Sequence, residues 1–596
     1  MPAVQNEDMK NELGKLLAEQ CIGIRDRRRV VEEKWLRVRR MWMNNDVEAR
    51  FMSSDTGSGR YSIPAGRRST ERTVVRGVKL LTPQVKWFDC QPVSSLGEKN
   101  AGNTDKYMWY ILRKKIKSRS NINQLIRSIF IYGLCHQKTS IMVRNGLVWP
   151  TQRAVDPFAY YTYPETSSIS DEAELSFEDI LMSYERYRTF VKKGIVDEVK
   201  RDDITTPNWP YHLVERLAYQ GITSPGQNID IAIEKVGEQL NRISNSSMSL
   251  SEVWTSREDK LYQAYILWNH REGPKCVGFI ESQYDEPLIR TAIHRGLPGE
   301  TYTNSMADDI VELDALQNDQ LNKFQEAVDF EQGFSIVDAQ ARHDSWKMKG
   351  RAIWLANGNA KDLVTFIQPP VTSTNQLRAW QIYQAMINSF AGAGTIAEGQ
   401  PGRNMPRAGF AMQSLLEMGM ADVQDVAELV EQEVLTPGLS DIYKVSSQFI
   451  PPNQLMRVPG GEGIASSGQK LRSVLRRQDI LGDYEFDWIG SLQSQDNQAR
   501  AQQSLIFLNM MPTLAPLLQQ QGYAPNIVEL MRSIWRDALG ERGLSDIIVK
   551  ITDLERTITE DMQGDGEGDD DVKGEPGLSG LGYNLPSPTN GFVQQK

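Results

Sequence analysis

The sequence predicts an α+β fold that is mainly helical, spread over several parts rather than gathered round one core. Three observations lead there. Long stretches place apolar residues at three-, four- and seven-residue steps, as in 304–330 and 405–436. Between them lie short runs of β-formers such as "FSIV", "AIWL" and "LVTFI". At 596 residues the chain exceeds what one core fills, so roughly three or four domains or one elongated subunit are expected.

In chain order, Lys10 to Asn45 reads as a helix, with Leu16, Leu17, Ile24, Val31, Trp35 and Val38 on its apolar positions. Within 22–40 eight cations face three acids, which suits a solvated helix face or an edge that meets a negatively charged partner or DNA. A further helix then gives way to a short strand at Val85, Trp87 and Phe88, followed by the linker-like "SSLGEKNAGNT" (94–104). The helical block 105–136 leads into a hairpin turning at Asn145-Gly146, a dipeptide suited to positive φ. Residues 170–250 are polar and helical in character, with aromatics at Tyr184, Tyr187 and Phe190 and breaks at Pro207, Pro210 and Pro225, and read as a surface insertion. Strand character returns at "KLYQAYILWNHREGPKCVGFIE".

The helix at 304–330 has Asn304 and Ser305 as candidate caps, and Ile310, Leu313, Leu321, Phe324 and Val328 along one face. Residues 331–375 hold the three β-like runs, and 376–390 is again helical. After a glycine-rich loop, Asn404 can cap a helix with its apolar spine at Met412, Leu416, Val423, Val426, Val430 and Val434, ending at Pro437-Gly438. Gly419 inside it is a candidate kink. Residues 440–490 are mixed and end in the strand "YEFDWIG"; two more helices fill 491–556. The last forty residues, 557–596, are acidic and Gly/Pro/Ser-rich, a composition expected to be mobile.

Charge and composition narrow the function. The net charge is −10; the tail from 557 holds eight acids against Lys573 and Lys596, which leaves −4 for the body. A body so near neutrality does not suit tight nucleic-acid binding, which draws on cations that displace counterions. Cys21, Cys90, Cys135 and Cys276 are far apart, so reduced, mostly buried thiols are expected rather than zinc or disulfides. The charged start "MPAVQNEDMKNELGK" is not a signal-peptide pattern, and "SLIFLNMMPTLAPLL" carries Asn509 and two prolines, so no membrane span is expected.

No catalytic constellation emerges. Gly394 and Gly399 have phosphate-loop spacing, but Gln400-Pro401 stand where lysine and a hydroxyl residue are required, and the loop follows a helix instead of a strand. Gly392 and Gly394 begin a dinucleotide fingerprint that Ala397 breaks. His136, His212, His270, His294 and His343 lack metalloprotease spacing and read as satisfied structural residues; no G-x-S-x-G turn offers a serine nucleophile. Asp308, Asp309, Glu312 and Asp314 sit where a helix dipole favours acids, so neither metal nor cofactor is expected. The glycine-rich segment instead suits a pliant loop between two helices, with Arg403 and Arg407 placed to touch a phosphate backbone without reading bases.

The order of these parts resembles the portal proteins, or head-tail connectors, of tailed bacteriophages, particularly the short-tailed ones. The matching parts are 304–330 as first stem helix, 331–375 as clip, 376–390 as second stem helix, 391–404 as channel loop and 405–436 as the long returning helix. "YEFDWIGSLQSQDNQARAQQSLIFL" (484–508) is similar to the strand-then-helix entry to the crown, and "SIFIYGLCHQKTSIMV" with "VDPFAYYTYPE" to the wing. The resemblance spans about residues 70–550 and rests on order and texture. It implies a wing at 1–303 with the 170–250 insertion, a wing return within 405–490, a crown at 491–556 and an acidic tail at 557–596.

The implied function is a closed homo-oligomeric ring, a dodecamer in most of the family, at the capsid vertex of the virion, assembled in the host cytoplasm. Double-stranded DNA is packaged through it by a separate terminase and later ejected toward the tail. Other implied partners are the major capsid protein, a scaffolding protein and a tail adaptor; an enzymatic role is not implied. Candidate DNA-channel contacts are Lys323, Arg378, Gln400, Arg403, Asn404 and Arg407, and the channel-loop glycines are Gly392, Gly394, Gly399 and Gly402. A DNA-processing packaging enzyme and a helical virion scaffold or adaptor without a channel are the competing readings.

Overall fold

The computed structural model describes residues 7–43, 63–83, 87–144, 146–164, 174–206, 247–257, 260–284, 286–296, 300–331, 335–338, 353–356, 373–390, 421–464 and 470–490, with a few positions between 213 and 238. The chain divides into a unit of Met1–Gln503 and a unit of Ser504–Lys596, and every described residue belongs to the first. The mixture of helix and strand is that of an α+β fold.

Helix α1 (Glu7–Met43) runs past three packed regions. Its first half sets Leu17, Ala18, Cys21 and Ile24 on one face of a five-stranded antiparallel sheet. Its middle brings Trp35 and Leu36 against Leu134 and Phe158, and its end puts Val38 and Met41 into the largest core. Gly14 allows the close approach: a Cβ there would overlap Cys276.

The largest core gathers α2 (Ala65–Leu81), α3 (Ser95–Tyr110) and α4 (Ser118–Tyr132) around the antiparallel pair β1 (Phe88–Pro92) and β14 (Tyr484–Trp488). Helix α3 corrects the expected linker at 94–104. Ser94 caps it by accepting from Gly97 N at 3.2 Å, and Gly97 stands so close to the chain at 482–483 that an added Cβ would lie 2.8 Å from Asp483 O. Glycine here serves packing and the serine serves as cap, so a loop-like composition forms a helix. A π turn (Ile111–Ile116) and left-handed Lys117 separate α3 from α4, which ends at Gly133 with φ +80°.

From Gly133 the chain enters β2 (Leu134–Arg144), which pairs with β3 (Leu147–Val155) through the Arg144↔Leu147 register, with Gly146 at φ +72°. With β9 (Ile289–Ile293) they form a three-stranded sheet ordered β3-β2-β9. The five-stranded sheet is β4 (Tyr160–Tyr163), β5 (Leu175–Ser183), β6 (Ser247–Arg257), β7 (Lys260–Leu267) and β8 (Lys275–Glu281), in that spatial order. Strands β5 and β6 lie inside it, so the described ends of 170–250 are sheet rather than the helical surface insertion expected. Phe177 is buried under α1, and Tyr187 of α5 (Tyr184–Lys192) covers the opposite face with Met182, Met248 and Val277. Cys21, Cys135 and Cys276 are buried, Cys90 is half-buried, and all four are free thiols.

The cations of α1 bear out the solvated face only in part: Arg27, Arg29 and Arg37 are exposed, but others turn toward the protein. Arg25 donates to Asp179 at 2.6 Å and lies 4.0 Å over the Trp268 ring. Arg28 is buried, and Lys34 and Arg37 reach Asp308 and Glu312.

The helix expected to stop at Pro437-Gly438 continues. Residues 421–430 form α8, a π turn follows (Glu431–Leu435), and α9 runs Thr436–Phe449. Pro437 cannot donate, and its ring would press on the carbonyl four residues back in an α-helix. The π turn reroutes that carbonyl ladder, with Thr436 N donating to Glu431 O. Gly438 O then accepts from Gln152 Nε2 at 2.8 Å, so the Pro-Gly pair docks the helix on the sheet instead of ending it. Gly419 lies outside the described residues. The hairpin β12 (Met456–Ile464) and β13 (Lys470–Leu475) leads back to β14.

Two glycines of α3 separate packing from propensity. Gly97→Ala should lower the unfolding free energy by about 1–3 kcal/mol through overpacking. Gly102→Ala, with nothing within 4 Å of its would-be Cβ, should be neutral or stabilise by up to about 1 kcal/mol. Urea unfolding of both variants checks the contrast.

Candidate functional site

The region that carries the predicted site begins at α6 (Met306–Glu331). Its N-terminus closes by a reciprocal pair of bonds: Asp308 N donates to Ser305 Oγ at 3.0 Å, and Ser305 N donates to Asp308 Oδ2 at 2.6 Å. Of the two candidate caps, Ser305 performs the capping, and Asn304 instead accepts from Lys34. The four acids of this segment serve more than the dipole. Asp309 pairs with Arg295, and Asp308 and Glu312 pair with α1. Asp314, buried in the third turn, accepts from Gly66 N at 2.8 Å, while Asn318 Oδ1 accepts from Ile63 N at 2.8 Å. Helix α6 therefore supplies the cap that α2 lacks in its own sequence, since Pro64 offers no side-chain acceptor. No sequence signal reports this, because the partners lie some 250 positions apart.

Past Asn318 the surroundings change. Met306, Ala307, Ile310, Val311, Asp314, Gln317 and Asn318 are buried, whereas among the described side chains beyond them on α6 none is. The return helix α7 (Ser373–Phe390) runs antiparallel to α6. Gln317 Nε2 donates to Gln384 Oε1 at 2.8 Å, and Asn388 accepts from Ser69 Oγ at 2.7 Å, which ties the end of α7 to α2. Ile387 is the one buried side chain of α7. Leu377, Ile382, Met386 and Phe390 are exposed, Ile382 at 60%, and Leu316 faces solvent on α6.

Between the two helices lie β10 (Ser335–Asp338) and β11 (Ile353–Ala356), paired parallel in the register Ser335↔Ile353. They coincide with the "FSIV" and "AIWL" runs; "LVTFI" lies outside the described residues.

Of the candidate contacts, Lys323 and Arg378 are described. Lys323 is half-exposed and pairs with Asp319 at 2.6 Å. Arg378 is exposed and makes no ion pair among the described residues. Gln400, Arg403, Asn404, Arg407 and the glycines Gly392, Gly394, Gly399 and Gly402 lie outside the described residues.

At the root of this helix pair sits His294, which the sequence reading takes as satisfied. It is buried, and neither ring nitrogen has a hydrogen-bond partner among the described residues. Burial pushes its pKa down and Arg295 adds to that; Asp425, Asp422 and Asp309 pull the other way. His136, near the start of β2, meets Thr291 Oγ1 at 2.9 Å, and burial together with Arg28 lowers it to about 3. His270 is satisfied through the N–H of Glu272, whereas His212 and His343 lie outside the described residues. Among the described residues no cluster of His, Cys, Asp or Glu could hold a metal ion. None of the described helices is long and apolar enough to cross a membrane.

The two lowered histidines set a pH window. Unfolding frees each to take a proton near pH 6.5, while the folded state refuses it, so stability falls as pH drops below about 6.5. For His136 the loss continues toward pH 3, at no more than about 1.4 kcal/mol per pH unit. Urea midpoints at pH 7 and 5 should show this drop, and His136→Gln should flatten it.

No family model matches the chain, and no curated protein sequence matches it.

Proposed function

We propose that the chain is one subunit of a portal ring, the channel at a capsid vertex through which double-stranded DNA enters and leaves. The observation that carries this reading is the antiparallel α6–α7 pair, which bears a strand pair between its helices and leaves five large apolar side chains exposed. Leu316, Leu377, Ile382, Met386 and Phe390 are too many exposed apolar side chains for a solvated two-helix arm. Neighbouring copies in a closed ring would cover them, since a rotational interface buries the same arm once in every subunit.

In this reading α6 and α7 are the stem, the segment between them is the clip, 391–404 is the channel loop and the sheets belong to the wing. The work done is geometric: the ring positions DNA while a terminase supplies the energy, and capsid, scaffolding and tail-adaptor proteins dock on its outside. Lys323 carries its own counter-ion in Asp319, so of the two described candidates Arg378 is the better placed to meet a phosphate, and a modest contact lets DNA slide.

Negative-stain images of the purified full-length chain should show rings with a central hole. A twelve-fold particle would have a mass of about 0.8 MDa, from 67.5 kDa per subunit; a monomer under all conditions overturns the proposal. Ile382→Glu should leave the melting temperature of the single chain within the small range expected of an exposed position, yet abolish or weaken ring assembly, because it would bury an unpaired charge. Deleting 391–403 should leave rings intact while impairing DNA packaging or retention; loss of assembly on that deletion would contradict a channel role for the loop.

A further inference from the structure

Residues 106–155 contain ten lysines and arginines and no aspartate or glutamate. Some of these cations are consumed inside the protein: Arg127 pairs with Glu71, and Lys138 and Arg153 pair with Glu178. Five others crowd the turn from α3 to α4, as Arg113, Lys114, Lys115, Lys117 and Arg119. Two of the five are held against rings. The Arg113 guanidinium lies 4.4 Å over Trp109, and the Lys115 ammonium 4.0 Å over Trp149. Lys114, Lys117 and Arg119 are exposed and make no ion pair among the described residues. Lys117 adopts φ +57°, which folds the chain sharply and brings its neighbours on both sides to one turn. No side chain caps the N-terminus of α4, which starts at the next residue.

We propose that this turn is a docking surface for the sugar-phosphate backbone of double-stranded nucleic acid. A run of like charge with no acid interspersed costs self-repulsion, and nothing in the described residues neutralises its three outer members. Ring contacts fix two long side chains in advance, so less rotamer freedom is lost when a polyanion arrives. Arginine and an uncapped helix start both favour tetrahedral phosphate oxygens, which points to nucleic acid over an acidic polypeptide. The contact reads no sequence, because it meets only the backbone.

The surface lies on the α3–α4 turn and not on the α6–α7 arm, so it goes beyond the channel reading and stands or falls separately. Binding of a fluorescent random-sequence DNA duplex to the full-length chain, followed by anisotropy between about 50 and 200 mM salt, tests it. The wild type should bind, with affinity falling steeply as salt rises. Charge reversal at all three outer positions (Lys114→Glu, Lys117→Glu, Arg119→Glu) should weaken binding at least about tenfold and flatten the log–log salt slope by about 2–3, one near-unit step per lost phosphate contact. The milder triple Lys114→Gln, Lys117→Gln, Arg119→Gln should move both quantities in the same direction.

Circular dichroism and the particle's appearance in negative stain should be unchanged, since the three side chains are exposed; this keeps a failure here distinct from a failure of ring assembly. An unchanged slope in both triples overturns the proposal. So does a wild type that ignores duplex but binds poly-glutamate, which would make the partner an acidic protein.

Discussion

One buried guanidinium holds the two sheets and the long first helix in a single arrangement. Arg28 of α1 donates to Phe158 O at 2.6 Å, to Pro157 O at 3.1 Å and to Tyr160 O, while Glu32 one turn on accepts at 2.7 and 2.9 Å. Those carbonyls belong to the short turn that carries the chain from β3 of one sheet to β4 of the other. The charge is stripped of water, and the cost is offset because its donors are met in the plane of the fork and Tyr161 covers its face at 3.4 Å. Lysine could not substitute, having neither the fork nor the flat face. Everything that later departs from this frame, including the helix pair α6–α7, starts from a root that α1 braces through Lys34, Arg37 and their acids.

A second set of buried charges joins the sheets face to face. Lys138 of β2 bridges Glu178 of β5 and Glu252 of β6, and Arg153 of β3 reaches the same Glu178. Burial alone would raise the Glu178 carboxyl; Lys138 and Arg153 outweigh it and hold it below its ordinary range. Its contribution is thus complete above pH 4.5 and is lost as pH falls through the lower folded value. Between β9 and α9, Arg290 and Asp441 make a two-bond fork at 2.9 Å with the carboxylate fully buried. Such pairs fix registry more than they add stability, because only one alignment of the two layers satisfies all of them.

How much of this was legible follows the range of each interaction. Signals carried within a few residues survive folding: Ser305 with Asp308 marks the start of α6, Asn145-Gly146 marks the hairpin, and the periodicity at 376–390 reappears within Ser373–Phe390. Signals that depend on a distant partner mislead. The Ser/Gly/Asn composition at 94–104 suggests a loop because Gly97 looks like a helix breaker, yet its lack of a side chain is what Gly482 and Asp483 require. Pro437 suggests a stop because a π turn cannot be seen in a sequence. Arg25, Lys34 and Arg37 of α1 look solvent-facing because their acids are more than a hundred positions away. The candidate site is legible only at its ends: Lys323 and Arg378 fall on the helices expected of them, and the loop residues between 391 and 407 lie outside the described part.

The helix pair then presents an imbalance that the described residues do not resolve. A helix of 18 residues such as α7 is only marginally stable by its own hydrogen bonds and is normally held by burial of an apolar face. Here Ile387 is covered, Trp380 and Tyr383 are half-buried, Gln317 and Gln384 join the two helices, and Leu377, Ile382, Met386 and Phe390 face outward. Two arrangements could satisfy such a pair: a polar exterior, which Leu377, Ile382, Met386 and Phe390 exclude, or a surface supplied by something else. The exposed apolar positions occur along most of α7, from Leu377 to Phe390, so the missing cover must follow the arm over several turns. A neighbouring copy of the same arm has that length and that composition, and this match is what supports the ring proposed above.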